Sequence, residues 1–327
     1  MMGGDFGPEV TVKGLSHAFD QMDNVHANLF GNEYEIRSVL TKYPNLTKKL
    51  DIIHTENFVP MNAKPADAIR RIGKDSSMWL SIDSCAKKES DVVLSAGNTG
   101  ALMALSKLIL KTVDGIERPA ITALWPNPKG NSVVLDLGAN IDVSANQLVQ
   151  FGIMGYAYAL CVLKNENPRV SILNIGHEEM KGSNNLQEAY DKLNIIFESN
   201  FIGFVEGDDL SKGTSDVIIT DGFTGNVALK TAEGIAKLIA YYLSNSLKSS
   251  LSGKIGMFIA QNSLKLLKEK IDPRANNGGF FLGLNGLVVK SHGGTDFIGF
   301  SNAIQFSVNL ARSDISKKII DLIGENI

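Results

Sequence analysis

Four short runs of β-branched and aliphatic residues stand out in the pattern of hydrophobic and polar positions along the chain. Each run stops at a turn and is followed by a stretch with helical spacing; the runs cover residues 91–95, 132–136, 170–174 and 216–220. Near-continuous apolar strands that alternate with helices are typical of a parallel sheet covered on both faces. The pattern therefore predicts an α/β fold with a mostly parallel sheet, which binds ligands at the carboxyl ends of its strands.

Two of these strand–turn–helix units resemble each other, since residues 90–100 read SDVVLSAGNTG and residues 215–225 read SDVIITDGFTG. Each contains a Gly-x-Thr-Gly turn, and the residues of the two turns are Gly97, Asn98, Thr99 and Gly100, and Gly222, Phe223, Thr224 and Gly225. Glycines let the backbone approach a ligand closely, and free N–H groups at a helix start favour an anion. The alternative is a tight turn with a threonine cap. The repetition favours anion binding.

The segment 227–271 has a different pattern, which predicts a helix from Val227 to about Leu247 and a second from about Lys254 to Ile271. We interpret it as a helical hairpin that projects from an α/β body formed by residues 1–226 and 272–327. The hairpin tip mixes apolar residues with lysines, as in an interfacial membrane contact. The predicted membrane contacts are Leu251, Ile255, Met257, Phe258 and Ile259. A dimer interface needs the same residue types. Both interpretations are compatible if the stems of two hairpins pair in a dimer and the tips contact the membrane.

The bulk properties are those of a globular protein. The 327 residues suffice for one large α/β body or two joined lobes, and we favour one body with an appendage. No run of eighteen apolar residues occurs, the start lacks a signal-peptide pattern, and the two cysteines fit a reducing cytoplasm. A net charge of −3 gives no general attraction to nucleic acid. Local basic spots, either solvated surface or docking points for an acidic partner, contain Arg70, Arg71, Lys74, Lys87 and Lys88.

Several familiar catalytic motifs are missing from the sequence. It contains no G-x-G-x-x-G for dinucleotides, no G-x-x-x-x-G-K-[ST] for nucleoside triphosphates and no H-E-x-x-H for zinc. We therefore predict no cofactor and no metal. Neither Cys85 nor Cys161 lies in a glycine-rich turn, and there is no G-x-S-x-G nucleophile elbow. A covalent acyl-enzyme mechanism has no support in the sequence.

Candidate chemistry lies in three other stretches. In residues 174–182, NIGHEEMKG, Lys181 follows a strand and stands between acidic residues and a glycine. A lysine there can neutralise phosphate and oxyanion charge, although a surface salt bridge is the alternative. Asp136 and Asn140 follow another strand and either align substrate or cap a helix. In a second glycine-rich region, Lys290 is a candidate to grip an anionic substrate and His292 to shuttle a proton, with a structural histidine as the alternative.

Taken together, these motifs resemble the bacterial PlsX family of phosphate acyltransferases. The matching segments occur in the same order over nearly the whole chain, at residues 2–9, 64–65, 75–78, 95–101, 136–140, 174–182, 221–230 and 290–293. The resemblance implies a fold related to phosphotransacetylases and isocitrate dehydrogenases. It implies conversion of acyl-[acyl carrier protein] and inorganic phosphate to acyl phosphate and free carrier protein, in phospholipid biosynthesis. It also implies a cytoplasmic homodimer, associated peripherally with the membrane, whose product goes to a glycerol-3-phosphate acyltransferase.

The resemblance also assigns roles to residues. Lys181 and Asn226 become the first catalytic candidates and His292 the third, with phosphate held by Lys181 and the amides of the two Gly-x-Thr-Gly turns. The basic spots become docking points for an acidic carrier protein. Family chains usually start with a short apolar strand that this sequence lacks, so we expect an incomplete sheet, and His177 stands where small or acidic residues are common. A phosphotransacetylase acting on acyl-CoA and a non-catalytic membrane scaffold remain alternatives.

Overall fold

A computed structural model describes residues 1–70, 73–271 and 278–326, without the side chains of residues 268–271. The strands in these ranges are β1 (Ala27–Gly31), β2 (Leu50–His54), β3 (Val92–Ser95), β4 (Ala120–Asn127), β5 (Gly130–Leu135), β6 (Val170–Leu173), β7 (Phe201–Val205), β8 (Val217–Ile219), β9 (Gly279–Leu282) and β10 (Leu287–Lys290). The four strands predicted from the sequence are β3, β5, β6 and β8.

Helices precede, separate and follow these strands. They are α1 (Gly7–Phe19), α2 (Glu33–Leu40), α3 (Pro65–Arg70), α4 (Ser77–Ala86), α5 (Thr99–Leu110), α6 (Ala145–Cys161), α7 (Asn184–Phe197), α8 (Gly222–Lys248), α9 (Leu251–Ile259), α10 (Gln261–Ile271), α11 (Phe297–Ala311) and α12 (Ile315–Asn326). Within the described ranges, none of them is long and apolar enough to cross a membrane.

The main sheet has eight strands in the order β3-β10-β9-β4-β5-β8-β6-β7, and β1 and β2 form a separate parallel pair. Among the described residues, five of the eight strand pairs are parallel. The predicted α/β fold with a mostly parallel sheet is therefore confirmed. The antiparallel pairs involve β4 and β9, two strands for which the hydrophobic pattern made no prediction.

The near-continuous apolar character of the central strands reflects burial of both sheet faces. In β5, Val133 and Leu135 belong to the core that includes α6, whereas Val134 between them belongs to the opposite core, which α8 covers. In β8, Ile218 likewise packs on the side of α8. Since successive strand residues point to opposite faces, a strand with helices on both sides needs apolar residues at every position.

Strand direction changes across the sheet. The three antiparallel pairs β10–β9, β9–β4 and β4–β5 lie between β3 and β8. An odd number of reversals makes β3 and β10 run opposite to β5, β8 and β6. The carboxyl ends of β3 and β10 consequently lie at one edge of the sheet, and those of β5, β8 and β6 lie at the other edge.

The sheet is divided beside β1. In the described structure β1 pairs with β2 but not with β3, which pairs with β10. A cavity of about 570 Å³ lies between the two sheets, lined by residues 27–30 and 92–95 among others. The Asn28 side-chain amide donates to the Ser90 hydroxyl across it (3.1 Å).

The segment predicted as a hairpin begins earlier and breaks more often than expected. Helix α8 starts at Gly222, five residues before the predicted start. The predicted second helix is in fact two helices, α9 and α10, which are separated at Ala260. Four of the five predicted tip residues are exposed, and the fifth, Met257, is half-buried. The division into a body and a hairpin stays a prediction, and residues 272–277 at its boundary lie outside the described residues.

Candidate active site at the carboxyl ends of three strands

Three chain segments follow the ends of the adjacent strands β5, β8 and β6. The backbone N–H of Asp136 donates to the carbonyl of Thr220 (2.9 Å), so the ends of β5 and β8 lie side by side. On the other side of β8, Ile219 is in register with Ile172 of β6. The segments that follow are residues 136–140 (the Asp136 loop), residues 221–226, which form the start of α8, and residues 174–182 (the Lys181 loop). Lys181 and Asn226 are therefore carried on segments that follow adjacent strands.

The glycines of the second Gly-x-Thr-Gly turn allow close contact between α8 and the Asp136 loop. A Cβ atom on Gly225 would lie 2.0 Å from the Asp136 carbonyl oxygen, and one on Gly222 would lie 2.6 Å from the Asn140 carbonyl oxygen. The Gly222 N–H donates to that Asn140 carbonyl (2.7 Å). These glycines are thus needed for backbone–backbone packing inside the protein, a reason that the sequence alone did not reveal.

The two similar turns start their helices differently. Asp221 caps α8 by accepting from the N–H of Thr224 (2.7 Å) and from its hydroxyl (2.8 Å). Asn98 caps α5 by accepting from the N–H of Ala101 (2.8 Å). The threonine cap considered as an alternative is wrong in both turns. Asp221 was missed as a functional residue, although aspartate just before a predicted helix is a recognised start signal.

Asp136 organises its own loop. Its fully buried carboxylate accepts from the N–H groups of Ile121 (2.9 Å), Gly138 (3.3 Å), Ala139 (3.1 Å) and Asn140 (2.6 Å), and from the Asn140 side chain (3.0 Å). Burial raises the pKa of Asp136, and these hydrogen bonds oppose that shift. The Asn140 amide also donates to the Pro119 carbonyl (2.8 Å). Both side chains have protein partners, so their role in substrate binding stays a prediction.

Asn226 lies against the Asp136 loop at its one residue with a left-handed backbone. Gly138 has φ +125°, and a Cβ atom there would lie 3.4 Å from the Cβ of Asn226. The first turn of α8 therefore places Asn226 directly over Gly138, where its side chain remains exposed. An exposed amide on a rigid helix start is suited to donate a hydrogen bond to a phosphate or carbonyl oxygen.

Asn174 closes the Lys181 loop at its base. The buried Asn174 side chain donates to the Lys181 carbonyl (3.0 Å) and accepts from the Ile175 N–H (2.8 Å). The Lys181 side chain folds back over Gly176, where a Cβ atom would lie 2.3 Å from the lysine Cδ. Only glycine at position 176 leaves room for this conformation. The loop therefore holds Lys181 in a defined place on the surface.

The Lys181 ammonium pairs with a neighbour on its own loop, Glu178 (Nζ to Oε2, 2.7 Å). This pair raises the pKa of Lys181 and lowers that of Glu178. Both side chains are about half-exposed, and an exposed ion pair contributes little net free energy. A phosphate dianion can therefore replace Glu178 as the partner of the ammonium group.

A second group of predicted site residues lies at the opposite edge of the sheet. The Lys290 amine donates to the carbonyls of Ala96 (3.3 Å) and Ser291. Burial lowers its pKa to about 8, against the opposing charge of Asp5. The Asn98 amide donates to the carbonyls of residues 61 (2.6 Å) and 63 (3.0 Å), so this side chain ties down a neighbouring loop.

The prediction that one phosphate lies between the two Gly-x-Thr-Gly turns is wrong. The turns follow β3 and β8, which are five strand spacings apart, about 24 Å, and end at opposite edges of the sheet. The long helix α8 connects the two groups. Partial desolvation lowers the pKa of His292, the charge of Glu233 on α8 opposes this shift, and the charges of Lys230 and Lys237 on α8 add to it. Helix α8 therefore carries Asn226 in its first turn and places the charges of later turns near His292.

The two cysteines are poorly suited to act as nucleophiles. Burial raises the pKa of the Cys85 thiol and also that of Cys161, which disfavours the reactive thiolate. Within the described ranges, no cluster of three or more histidine, cysteine, aspartate or glutamate side chains is arranged to hold a metal ion. The candidate groups that follow the adjacent strands β6 and β8 are the Lys181 ammonium and the Asn226 amide.

Comparisons with known proteins identify the family of the chain. Residues 1–318 match a family model described as "Fatty acid synthesis protein". The chain belongs to this family. A relative named phosphate acyltransferase from Parvibaculum lavamentivorans is 49% identical over 98% of this chain and 89% of its own length. Another with that name, from Rhodospirillum rubrum, is 48% identical over 99% and 93%. The predicted family and the predicted enzyme class, acyltransferase, are confirmed.

A solved structure shares the fold of this family member at low sequence identity. A phosphotransacetylase from Streptococcus pyogenes has a TM-score of 0.54 at 13% identity, over 92% of this chain and 98% of that one. At this identity the likeness concerns the fold alone. It confirms the predicted phosphotransacetylase-like architecture.

Proposed function

We propose that this acyltransferase converts acyl-[acyl carrier protein] and inorganic phosphate to acyl phosphate and free carrier protein, as a step of phospholipid biosynthesis. The observation that supports the site most directly is the position of Lys181 and Asn226 in the chain. Lys181 lies in the loop after β6, and Asn226 lies in the first turn of α8, directly after the adjacent strand β8. The relatives named phosphate acyltransferase support phosphate as the acceptor of the acyl group.

Phosphate is the nucleophile in this proposal. Hydrogen phosphate binds between the Lys181 ammonium and the Asn226 amide, and one of its oxygens attacks the thioester carbonyl. The new C–O bond forms, the C–S bond breaks, and the phosphate proton ends on the departing thiol. Because phosphate is already anionic, the protein supplies positioning and charge stabilisation, and well-oriented reactants alone can lower the barrier by about 7–11 kcal/mol. No covalent enzyme intermediate is needed.

The part of the acyl donor beyond the thioester is assigned to the face of α8 that leads away from Asn226. Asn226, Lys230, Glu233 and Lys237 recur at helical spacing and define one face of this helix. We propose that the donor lies along this face towards Lys290, His292 and the first turn, residues 97–100. The carrier protein would dock through the nearby basic residues. Arg70, Lys74, Lys87 and Lys88 are candidates, and Arg71 lies outside the described residues.

Membrane association and dimerisation are assigned to α8 and α9. Exposed apolar side chains on α8 include Ile235, Leu238 and Ile239, and α9 adds Leu251, Ile255, Phe258 and Ile259. Lys248 and Lys254 flank the start of α9, as expected for contact with anionic lipid. We propose that α8 forms the homodimer contact and that α9 meets the membrane surface, where acyl phosphate passes to a glycerol-3-phosphate acyltransferase.

Replacing apolar side chains of α9 by carboxylates tests the membrane contact. The double variant Phe258→Glu, Ile259→Glu should lose most of its sedimentation with vesicles that contain anionic lipid, because two exposed apolar groups are replaced by charges. A matched control, Ile195→Glu with Ile320→Glu, changes two exposed apolar residues of the α/β body and should sediment like the wild type. Equal sedimentation of both variants would assign α9 to protein contact alone.

The reaction itself is tested by direct measurement of thioester loss. We expect acyl-[acyl carrier protein] to be consumed only when phosphate is present, with equimolar acyl phosphate formed. Acyl-CoA offered at the same concentration should react far more slowly. Preference for acyl-CoA would instead support a phosphotransacetylase, and the absence of phosphate-dependent turnover with both donors would support a non-catalytic scaffold.

A further inference from the structure

His177 lies on the Lys181 loop and binds it to the adjacent strand. Its Nδ1 atom lies 3.1 Å from the carbonyl oxygen of Phe204 in β7. A carbonyl oxygen only accepts, so Nδ1 carries a proton and donates in this contact. The Lys181 loop is thus fixed at two places, at its base by Asn174 and at its outer part by His177.

The other ring nitrogen faces carboxylates. Nε2 lies 3.5 Å from Oδ2 of Asp209 and 3.9 Å from Oε1 of Glu206. Because Nδ1 donates to Phe204, Nε2 is the ring nitrogen on the side of these two carboxylates.

The two carboxylates differ in how firmly they are held. Asp209 is buried, accepts from the N–H of Glu206 (2.9 Å) and pairs with Lys212 (2.9 Å). The Glu206 side chain is exposed. The segment after β7 therefore presents one firmly held carboxylate and one exposed carboxylate to His177.

We propose that His177 is a positioning residue for Lys181, which anchors the Lys181 loop to β7 through the Phe204 carbonyl. Loss of this anchor weakens phosphate binding at Lys181, because the loop that carries the ammonium is then less firmly held. The inference rests on the proposed function, since it assigns phosphate to Lys181.

Two substitutions test the anchoring role. In His177→Asn, the amide nitrogen takes the place of Nδ1 and still donates to Phe204, whereas His177→Ala removes the donor. A matched control is His26→Ala, because His26 is also a half-exposed histidine paired with an aspartate, Asp51 (2.9 Å). The quantity compared is the ratio of variant to wild-type KM for phosphate.

For His177→Ala we expect this ratio to be about five, because a hydrogen bond that fixes the loop is lost. For His177→Asn we expect a KM close to that of the wild type, because the donor to Phe204 is kept. Values of kcat should change less than KM. His26→Ala should leave KM unchanged.

Hydrogen exchange of the backbone amides in residues 176–182 provides a readout that does not depend on activity. His177→Ala should exchange faster there than the wild type, and His177→Asn should exchange like the wild type. Unchanged exchange in His177→Ala would overturn the anchoring role. If exchange behaves as expected while Lys181→Ala keeps full activity, the proposed function fails and the anchoring stands.

Discussion

Lys181→Ala should lower the rate of acyl phosphate formation by about 10²- to 10³-fold, the usual cost of removing a group that stabilises developing negative charge. The substitution removes an ammonium that the loop holds over Gly176 and that pairs with Glu178. Its side chain is about half-exposed, so the variant should keep the melting temperature of the wild type. Steady-state rates and thermal unfolding measure the two effects.

A matched control is Lys192→Ala, because Lys192 forms the same kind of exposed ion pair with Glu188 (2.6 Å) on α7. It should retain full activity. Lys181→Arg should retain part of the activity, since the charge is kept while its position changes. Near-normal turnover of Lys181→Ala would remove this lysine from the mechanism and leave only its surface salt bridge.

Gly225→Ala should destabilise the protein by about 3 kcal/mol and abolish turnover. The added Cβ would lie 2.0 Å from the Asp136 carbonyl oxygen and 2.8 Å from Cγ2 of Thr220, and the backbone oxygen has no room to move. Helix α8 must therefore shift away from the Asp136 loop and take Asn226 with it. Urea unfolding measures the free energy of unfolding, and the phosphate-dependent assay measures turnover.

The control for this substitution lies on the same helix. A Cβ atom added to Gly234 would point into open space, with no atom of another described element within 4 Å, so Gly234→Ala should leave the contacts intact. Alanine is the better helix former, and we expect a gain of about 1 kcal/mol. If Gly225→Ala were as stable and as active as Gly234→Ala, the packing of α8 on the Asp136 loop would be refuted.

Local patterns in the sequence were sufficient to predict several parts of this molecule. The strands β3, β5, β6 and β8, the start of a long helix near residue 227 and the α/β class all follow from hydrophobic spacing and glycine-rich turns. The stretch 174–182 pointed to Lys181 because one lysine among acidic residues follows a buried strand. Each of these inferences depends on residues close together in the chain, where side-chain type and backbone geometry are directly related.

The tertiary structure decided how these parts are arranged. Strand direction depends on pairing between residues far apart in sequence, and it placed the two similar turns at opposite edges of the sheet. Only the fold shows that Gly225 meets the Asp136 carbonyl and that His177 meets Phe204 and Asp209. The sequence by itself determined the local strand, turn and helix signals. Long-range packing determined that the segments of Lys181 and Asn226 follow adjacent strands, because strand order depends on pairing between residues far apart in the chain.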